Sequence, residues 1–329
     1  MKLLATFKNM KKTQRDGIIG IAILVVILIA SFVASDAFLD FMARAVIFML
    51  FASALNIILG FGGLRPLGMA MYFGLGSYSY VIMCVRLGVP NGLAVLLAIL
   101  ISMVISLFIN WLCLRAGDDL AFAFMSMGIN TLLWTMVQKL QWVGSDTGIT
   151  GNVRFAFFNG PRGNFYLCFV VCAICIILIY LLFRSPFATV LKGSRDNIER
   201  LTFVGMNTRN VRLYACMISS FFVTIAGILY AMRNMGAFPV MLSTNTSTEG
   251  LVMCLIGGMY SFFGPILGAV IVTVINVLLP NATRYYQFAL GVIIVLCVLF
   301  LQGGLLRDKA SKDLEENTAF EREEEAGGI

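Results

Sequence analysis

Long apolar runs restrict this chain to a narrow set of folds, since residues 18–33 and 165–183 are almost entirely hydrophobic. A helix of about twenty residues crosses the hydrocarbon core of a bilayer. Strands of a membrane barrel would instead alternate apolar and polar residues, and these runs do not. Only 12% of the residues are charged, whereas soluble proteins carry about a quarter. We therefore predict an all-α integral membrane protein.

Hydropathy divides the chain into ten predicted crossings, so the fold is expected to be a polytopic bundle of about ten transmembrane helices. The segment 249–260 has only twelve residues, fewer than the roughly twenty that a full crossing needs. It is therefore expected to be tilted, broken or half-inserted. The ten predicted spans are residues 17–35, 37–60, 67–85, 91–114, 119–140, 165–183, 211–232, 249–260, 263–279 and 285–301.

Lysine and arginine are distributed unevenly between the two sides of this bundle. With the amino terminus in the cytoplasm, seventeen of the 24 basic residues fall in inner segments and six in outer ones, and Arg44 lies within a span. An excess of basic residues in short loops marks the cytoplasmic side of a membrane protein. We therefore expect both termini to be cytoplasmic.

Three regions follow from the same pattern. Residues 1–16 form a cytoplasmic amino-terminal segment, 17–306 the transmembrane domain, and 307–329 an acidic tail expected to be disordered, because it has no apolar periodicity. The first span should remain as an anchor, since its apolar stretch is longer than that of a signal peptide. A long basic loop, residues 184–212, separates the first six spans from the last four.

Catalytic chemistry is not indicated. The chain has no histidine, the commonest general base and metal ligand. Asp118 and Asp119 are adjacent acids, but consecutive helical residues do not face each other. Cys168, Cys172 and Cys175 share one helix face, which suits a soft-metal site or, more simply, helix packing. We predict no enzyme, no catalytic residue, no metal site and no nucleic-acid binding.

The basic loop contains start and stop signals for short helices. Ser185 can cap a helix whose first residue is Pro186, and Gly205 can end one in the left-handed conformation. Acidic and basic residues between them, including Asp196 and Glu199, precede an apolar cluster. These features predict one or two amphipathic helices, with a solvated loop of a few helical turns as the alternative.

The loop also resembles a known family. Ser-Pro-Phe from Ser185, the run Arg195-Asp-Asn-Ile-Glu199, and Val204-Gly205-Met-Asn resemble the cytoplasmic loop of permease subunits in ATP-binding-cassette (ABC) importers of branched-chain amino acids. In that family the loop carries a Glu-Ala-Ala-like motif that docks on the ATPase subunit. Here the motif reads Glu199-Arg-Leu, so only Glu199 and Gly205 carry over. The resemblance makes the loop an ATPase-coupling element through Ser185, Pro186, Arg195, Asp196, Glu199 and Gly205.

Similar motifs occur in the same order from residue 50 to residue 306, and they imply a fold like that of type II ABC importers. The glycine-rich second and third spans, the outer loop and the carboxy-terminal spans each match. The matching segments are Leu55-Asn56, Gly60 to Gly63, Leu67-Gly68, Phe73-Gly74, Gly76, Tyr78, Gly144 to Gly148, Glu249, Met253, Gly257-Gly258, Phe263 to Pro265, Leu267 to Ala269 and Gly303 to Leu305.

Glycines in these motifs can have either of two structural roles. Small residues let helices approach closely in lipid, and glycine also allows a helix to bend or unwind where protein or a water-filled cavity covers the backbone. Both paired glycines fall near inner ends of spans, which suggests an internal duplication. The predicted pathway and helix-break positions are Gly62, Gly63, Gly68, Gly76, Gly257, Gly258, Gly264, Pro265 and Gly268.

Charged residues near the spans are further candidate functional residues. A charged side chain within the membrane costs free energy to bury and is often retained for function. Glu249 is expected at the outer interface, and Arg44 is expected to reach back toward Asp40, one turn earlier. In the outer loops, Asp146, Arg154 and Arg162 are candidates for docking a binding protein, since such docking relies on complementary charge.

The resemblance implies an importer subunit of the bacterial inner membrane. It implies a second, related permease subunit as heterodimer partner, separate cytoplasmic ATPase subunits, an extracytoplasmic solute-binding protein and the surrounding lipid. No Gly-x-x-x-x-Gly-Lys-Ser/Thr motif is present, so ATP is expected on the ATPase and no cofactor on this chain. Branched-chain amino acids are the expected cargo. Urea or short amides, and then nucleosides or sugars, are alternatives, as is an ATP-independent secondary transporter or channel.

Overall fold

The computed structural model describes residues 35–155, 160–282 and 291. Within this part the chain is almost wholly helical. The helices are α1 (Asp36–Asn56), α2 (Ala70–Val81), α3 (Asn91–Cys113), α4 (Asp119–Lys139), α5 (Pro161–Phe183), α6 (Pro186–Asp196), α7 (Ile198–Phe203), α8 (Thr208–Asn234), α9 (Thr244–Gly257) and α10 (Gly264–Ala282). Two π-helical turns, Ile57–Phe61 and Ile82–Arg86, extend α1 and α2.

The predicted spans from 37–60 to 263–279 each correspond to a described helix. Five segments are long and apolar enough to cross a membrane: Phe38–Phe61, Asn91–Cys113, Asp119–Lys139, Arg162–Phe183 and Thr208–Asn234. This confirms the polytopic helical fold. The predicted spans 17–35 and 285–301, together with the amino-terminal segment and the acidic tail, lie outside the described residues.

Helix α1 is the centre of the bundle. In its most apolar stretch 89% of the residues are buried, against 28% for α3 and 22% for α4. The exposed side chains of α3 are large and apolar, for example Leu96 and Phe108, which is what contact with lipid requires. Helices α3 and α4 therefore lie at the periphery, and α1 and α8 form the core.

Glycine allows α2 and α8 to pack backbone to backbone. A Cβ on Gly227 would collide with the carbonyl oxygen of Phe73, and one on Gly76 would lie 2.5 Å from that of Thr224. Phe48 and Tyr230 complete a buried aromatic cluster around Phe73, with ring centroids 5.3–6.3 Å apart. Gly76 is thus a packing residue within α2, and the prediction of a helix break there is wrong.

Helix α9 is too short to cross a bilayer. Its fourteen residues span about 21 Å at 1.5 Å per residue, whereas the hydrocarbon core is about 30 Å thick. The preceding turn, Pro239–Leu242, packs Leu242 against Gly74 of α2, so α9 begins inside the bundle. The predicted short span was placed at 249–260; the helix begins five residues earlier and is interrupted at Gly258, where φ is +106°.

The bundle has two distinct ends. At one, strands β1 (Ile149–Thr150) and β2 (Gly236–Ala237) pair antiparallel, with Ile149 opposite Ala237. We call this the hairpin end for the paired strands, although α5 to α8 separate them in the sequence. At the other, α6 and α7 lie beneath the ends of α1 and α5; we call this the loop end. Asp40 at the hairpin end bonds to Arg233. The expected Arg44–Asp40 contact is therefore not found among the described residues.

Candidate functional site

The basic loop folds as two short helices at the loop end, as the sequence predicts. Helix α6 begins at Pro186, but the Ser185 hydroxyl donates to the carbonyl of Leu182 at 2.6 Å instead of accepting from the helix backbone. The predicted side-chain cap is therefore wrong. Asn197, which the sequence analysis did not single out, caps α7 by accepting from the Arg200 amide at 2.9 Å.

Gly205 ends this unit as predicted. Its φ is +83°, a conformation that strains any residue with a Cβ, and its amide donates to the Thr202 carbonyl at 2.9 Å. Nothing lies within 4 Å of the position a Cβ would take. Backbone conformation alone therefore requires glycine here.

Helix α7 presents an exposed apolar tip. Phe203 is 88% exposed and Val204 78% exposed, beside an open groove of about 380 Å³ lined partly by Asp196 and Arg200. Glu199 lies exposed on the same helix. An aromatic side chain this exposed, on a polar loop outside the spans, is typical of a protein-binding surface. Phe203 was missed because the sequence analysis read it only as part of an apolar cluster.

Arg195 binds the loop to the end of α1. Its Nη1 donates to the carbonyl oxygen of Gly60 at 2.8 Å, and its guanidinium lies 5.2 Å from the ring centroid of Tyr260. Along the edge of the guanidinium, Nε and Nη2 both donate to Oδ1 of Asp196, at 2.9 and 2.8 Å. A Cβ on Gly63, where φ is +71°, would lie 2.5 Å from the Arg195 Cγ. One side chain therefore touches both glycine-rich segments.

The two glycine breaks also meet each other directly. A Cβ on Gly60 would collide with the carbonyl oxygen of Met259, which lies in the turn between α9 and α10. Asn56 Nδ2 donates to the carbonyl of Ser261 at 3.1 Å across the same contact. We call this contact, together with Arg195, the junction. It joins the end of α1, the α9–α10 turn and the loop.

The predicted glycine positions separate into two groups around the junction. Gly62, Gly63, Gly257, Gly258 and Gly264 lie at or beside the breaks, and Pro265 is the second residue of α10. Gly68 lies in the non-helical turn just before α2, where a Cβ would collide with the Ser126 carbonyl. Gly268 lies within α10 and allows close helix packing, because a Cβ there would collide with the Met253 carbonyl. As with Gly76, the break prediction is wrong for Gly268.

Other contacts stiffen the loop end. Lys192 lies 4.9 Å from the ring centroid of Phe61, which stacks on Phe183 of α5 at 3.9 Å. Burial, and then the nearby Arg195 guanidinium, lower the pKa of Lys192. Aromatic and cationic groups thus join α6 to the ends of α1 and α5.

Arg212 is the second basic residue that ties this end together, and the sequence analysis counted it only as loop charge. It is 7% exposed; Nη1 donates to Asp119 Oδ1 at 2.9 Å and Nη2 to the Ser194 carbonyl at 3.0 Å. The bonds join α8, α4 and α6. The position of Arg212, a basic residue just inside an apolar span, could have indicated this role.

Comparison with known proteins identifies the family. The model of the family described as "Branched-chain amino acid transport system / permease component" matches residues 37–301. The chain belongs to this family. It is therefore a permease component of a transport system, and the prediction that it is no enzyme is confirmed by its relatives.

The permease resembles curated relatives at low identity. It is 23% identical over 322 residues to the high-affinity branched-chain amino acid transport system permease protein LivM of Escherichia coli, covering 89% of this chain and 76% of the relative. The probable LivM of Methanocaldococcus jannaschii is 24% identical over 270 residues, covering 74% and 76%. The autoinducer 2 import system permease protein LsrC of Salmonella typhi is 24% identical over 166 residues, covering 46% and 48%. No solved structure matches.

At the hairpin end of the permease, the three candidate docking residues differ in their surroundings. Arg154 donates to the carbonyls of Met232 and Arg233 at 3.1 and 2.8 Å, so it caps the end of α8. Arg162 forms an exposed ion pair with Asp36 at 3.6 Å, and Asp146 is exposed in a short turn. Docking at these residues stays a prediction.

The cysteine face of α5 lies in the permease core. Cys168 and Cys172 are fully buried and Cys175 is 5% exposed, and all three are free thiols. Among the described residues, no group of three or more potential metal ligands is found. Tight burial in the bundle is the arrangement that helix packing requires.

Proposed function

We propose that this permease is one translocating subunit of an ABC importer that carries branched-chain amino acids into a bacterial cell. The family and the two LivM relatives support this cargo. The LsrC relatives, which match about half of the chain and belong to an autoinducer 2 import system, favour autoinducer 2 as second candidate cargo. Urea and short amides, the earlier alternative, have no support among the relatives named here.

The junction is the observation that carries the proposed mechanism. Arg195 in the loop contacts Gly60 and Tyr260, so a displacement of the loop pulls directly on both glycine breaks. Helices that end in such breaks bend at low cost, because glycine lacks the steric limits of other residues. The loop then acts as a lever that switches the bundle between two access states.

Separate ATPase subunits would supply the displacement. The exposed tip of α7, with Phe203 and Glu199, is the surface available to such a partner. In this assignment the loop end is cytoplasmic, as are both termini, and ATP binds to the partner while this chain carries no cofactor. The hairpin end then faces outward, where Asp146 and Arg162 are available to a solute-binding protein.

A second, related permease subunit would complete the pathway. Helix α9 begins inside the bundle and exposes Asn245 and Thr248, which lipid would not solvate. A partner subunit facing this side would enclose a polar passage between the two chains. We infer a heterodimer, since such importers pair related subunits according to the resemblance.

Reconstitution tests the proposal. The complete importer, copurified from native membranes with its ATPase and second permease subunit, is placed in liposomes with its binding protein and labelled leucine. We expect uptake that requires ATP and stops when ATP is replaced by a non-hydrolysable analogue. ATP-independent uptake by the purified chain alone would overturn the proposal in favour of a secondary transporter or channel, and uptake of sugars but not leucine would overturn the cargo.

A further inference from the structure

Two opposite charges face each other within the membrane domain without pairing. Arg44 lies in α1, eight residues after its start at Asp36, or about 12 Å along the helix axis. Glu249 lies in the second turn of α9, which begins inside the bundle. The two side chains lie within electrostatic range of each other. Neither forms an ion pair within 4.0 Å in the described part of the chain.

Packing of α9 on α1 fixes these positions. A Cβ on Gly250 would overlap the ring of Phe51, and the Cys254 thiol donates to the carbonyl of Ala52 at 3.3 Å. Both contacts are backbone-close, so α9 has little freedom to slide along α1. Glu249, the neighbour of Gly250, is thereby held beside α1, in the stretch of that helix that follows Arg44.

Arg44 forms no ion pair within the described part of the chain. Its Nε is buried and has no hydrogen-bond partner among the described residues, and the guanidinium lies 5.6 Å from the ring centroid of Phe48. The nearest acid on its own helix, Asp40, bonds to Arg233. An unpaired guanidinium at this depth is costly, and such residues are retained where they bind something.

One exposed face of α9 carries polar side chains beside Arg44 and Glu249. Asn245, Thr248 and Glu249 have the i, i+3, i+4 spacing that places side chains on one helix face, and Asn245 and Thr248 are exposed. Polar groups at membrane depth face water or protein rather than lipid. Leu251 and Leu255 follow Thr248 at i+3 and i+7 and so continue the Thr248 side of the helix, away from Glu249; Leu251 is partly exposed and Leu255 exposed. The Thr248 side of α9 is therefore polar in its first two turns and apolar beyond them.

We propose that Arg44 and Glu249 bind the zwitterionic head of the transported amino acid, an inference that rests on the proposed function. The guanidinium takes the α-carboxylate and Glu249 takes the α-ammonium. Two opposite charges that are held apart suit a molecule carrying both charges on neighbouring atoms. A sugar or urea, which carries neither charge, would leave both residues unpaired.

Ligand analogues that lack one charge test this assignment. The probes are leucine, leucinamide, which lacks the carboxylate, and 4-methylpentanoate, which lacks the ammonium. Equilibrium binding is measured to the complete permease–ATPase complex in nanodiscs without the binding protein. We expect Glu249→Gln to weaken leucine and leucinamide by about tenfold or more, the worth of a charge-assisted hydrogen bond, and to leave 4-methylpentanoate unchanged. Arg44→Gln should weaken leucine and 4-methylpentanoate and spare leucinamide.

Controls separate binding from folding. Arg86→Gln, at the exposed end of the second π-helical turn, and Asp36→Asn, at an exposed carboxylate of α1, each remove one charge outside the proposed site and should leave all three ligands unaffected. Arg44→Lys and Glu249→Asp keep the charges and should restore most of the binding. Unchanged leucine binding in both charge-removing variants overturns the assignment. Equal loss of all three ligands, with ATPase copurification intact, also overturns it.

ATP-driven uptake distinguishes this inference from the proposed function. If the wild-type importer takes up leucine with ATP and Arg44→Gln and Glu249→Gln do so equally well, only the zwitterion site is wrong. If the wild-type importer takes up no leucine with ATP, the proposed cargo is wrong, and the site with it. A charge pair that only contacts the second permease subunit would alter copurification of that subunit without changing the ligand preference, which also overturns the site.

Discussion

The carbonyl oxygen of Gly60 accepts a 2.8 Å hydrogen bond from Nη1 of Arg195, which lies 135 residues later in the chain. The bond joins the last turn of the most buried helix to the surface loop. Gly60 lies within the π-helical turn Ile57–Phe61 that ends this helix, and because the last carbonyls of a helix have no intrahelical donor, the Gly60 carbonyl can accept from outside the helix. Movement of the loop therefore acts on the helix backbone itself.

Removal of the Arg195 guanidinium should separate ATP hydrolysis from transport. In Arg195→Ala the loop keeps its ATPase surface on α7 but loses its bond to Gly60 and its contact with Tyr260. We expect leucine uptake to fall by about tenfold or more, as for loss of one charge-assisted hydrogen bond, while ATPase activity persists. Arg209→Ala, at an exposed loop position, is the matched control and should keep wild-type coupling. Uptake at the wild-type level in Arg195→Ala would contradict a transmitting role.

Glycine at position 60 should be indispensable to the junction. A Cβ there would collide with the Met259 carbonyl, which is backbone and cannot swing aside, and would also lie 2.4 Å from Oδ1 of Asn56. Gly60→Ala is expected to lower stability by about 1–3 kcal/mol, the usual cost of overpacking. The control is Gly128→Ala in α4, where a Cβ would meet nothing within 4 Å and replacing a helical glycine should stabilise by about 0.5–1 kcal/mol. Thermal unfolding in detergent measures both, and equal melting temperatures would refute the close contact.

The turn after α7 should depend on the backbone freedom of Gly205. Alanine at φ +83° costs about 1–2 kcal/mol, so Gly205→Ala should shift the tip of α7 and weaken ATPase copurification. Asparagine tolerates the left-handed conformation better, and Gly205→Asn should retain more of the complex. Because no atom lies close to the position that a Cβ on Gly205 would take, steric crowding would not explain a loss of copurified ATPase. Identical copurification of the alanine variant and wild type would argue against the turn.

Much of the fold could be predicted from the sequence, because hydropathy depends on local composition. The second span was placed at residues 37–60, and α1 with its π turn covers Asp36 to Phe61. The start of α9 was missed since Thr244 to Thr248 are polar and depress hydropathy, although Ser243 accepts from the Thr246 amide as a helix cap. The contact of Arg195 with Gly60 could not be predicted, because it depends on how distant helices pack.

The exposed tip of α7 should carry partner binding without carrying stability. Phe203 is 88% exposed, so Phe203→Ser removes little buried area and should leave the melting temperature within a degree or so of wild type, as for other surface changes. An interface aromatic, by contrast, is often worth 2 kcal/mol or more in binding, which corresponds to about thirtyfold in affinity. We expect a matching loss of ATPase subunit from the purified complex, measured by titration of the ATPase against the permease in nanodiscs. Phe108→Ser, at an exposed position on α3, is the control and should retain the ATPase. If Phe203→Ser bound the ATPase with full affinity, the docking surface would have to lie elsewhere than at this tip.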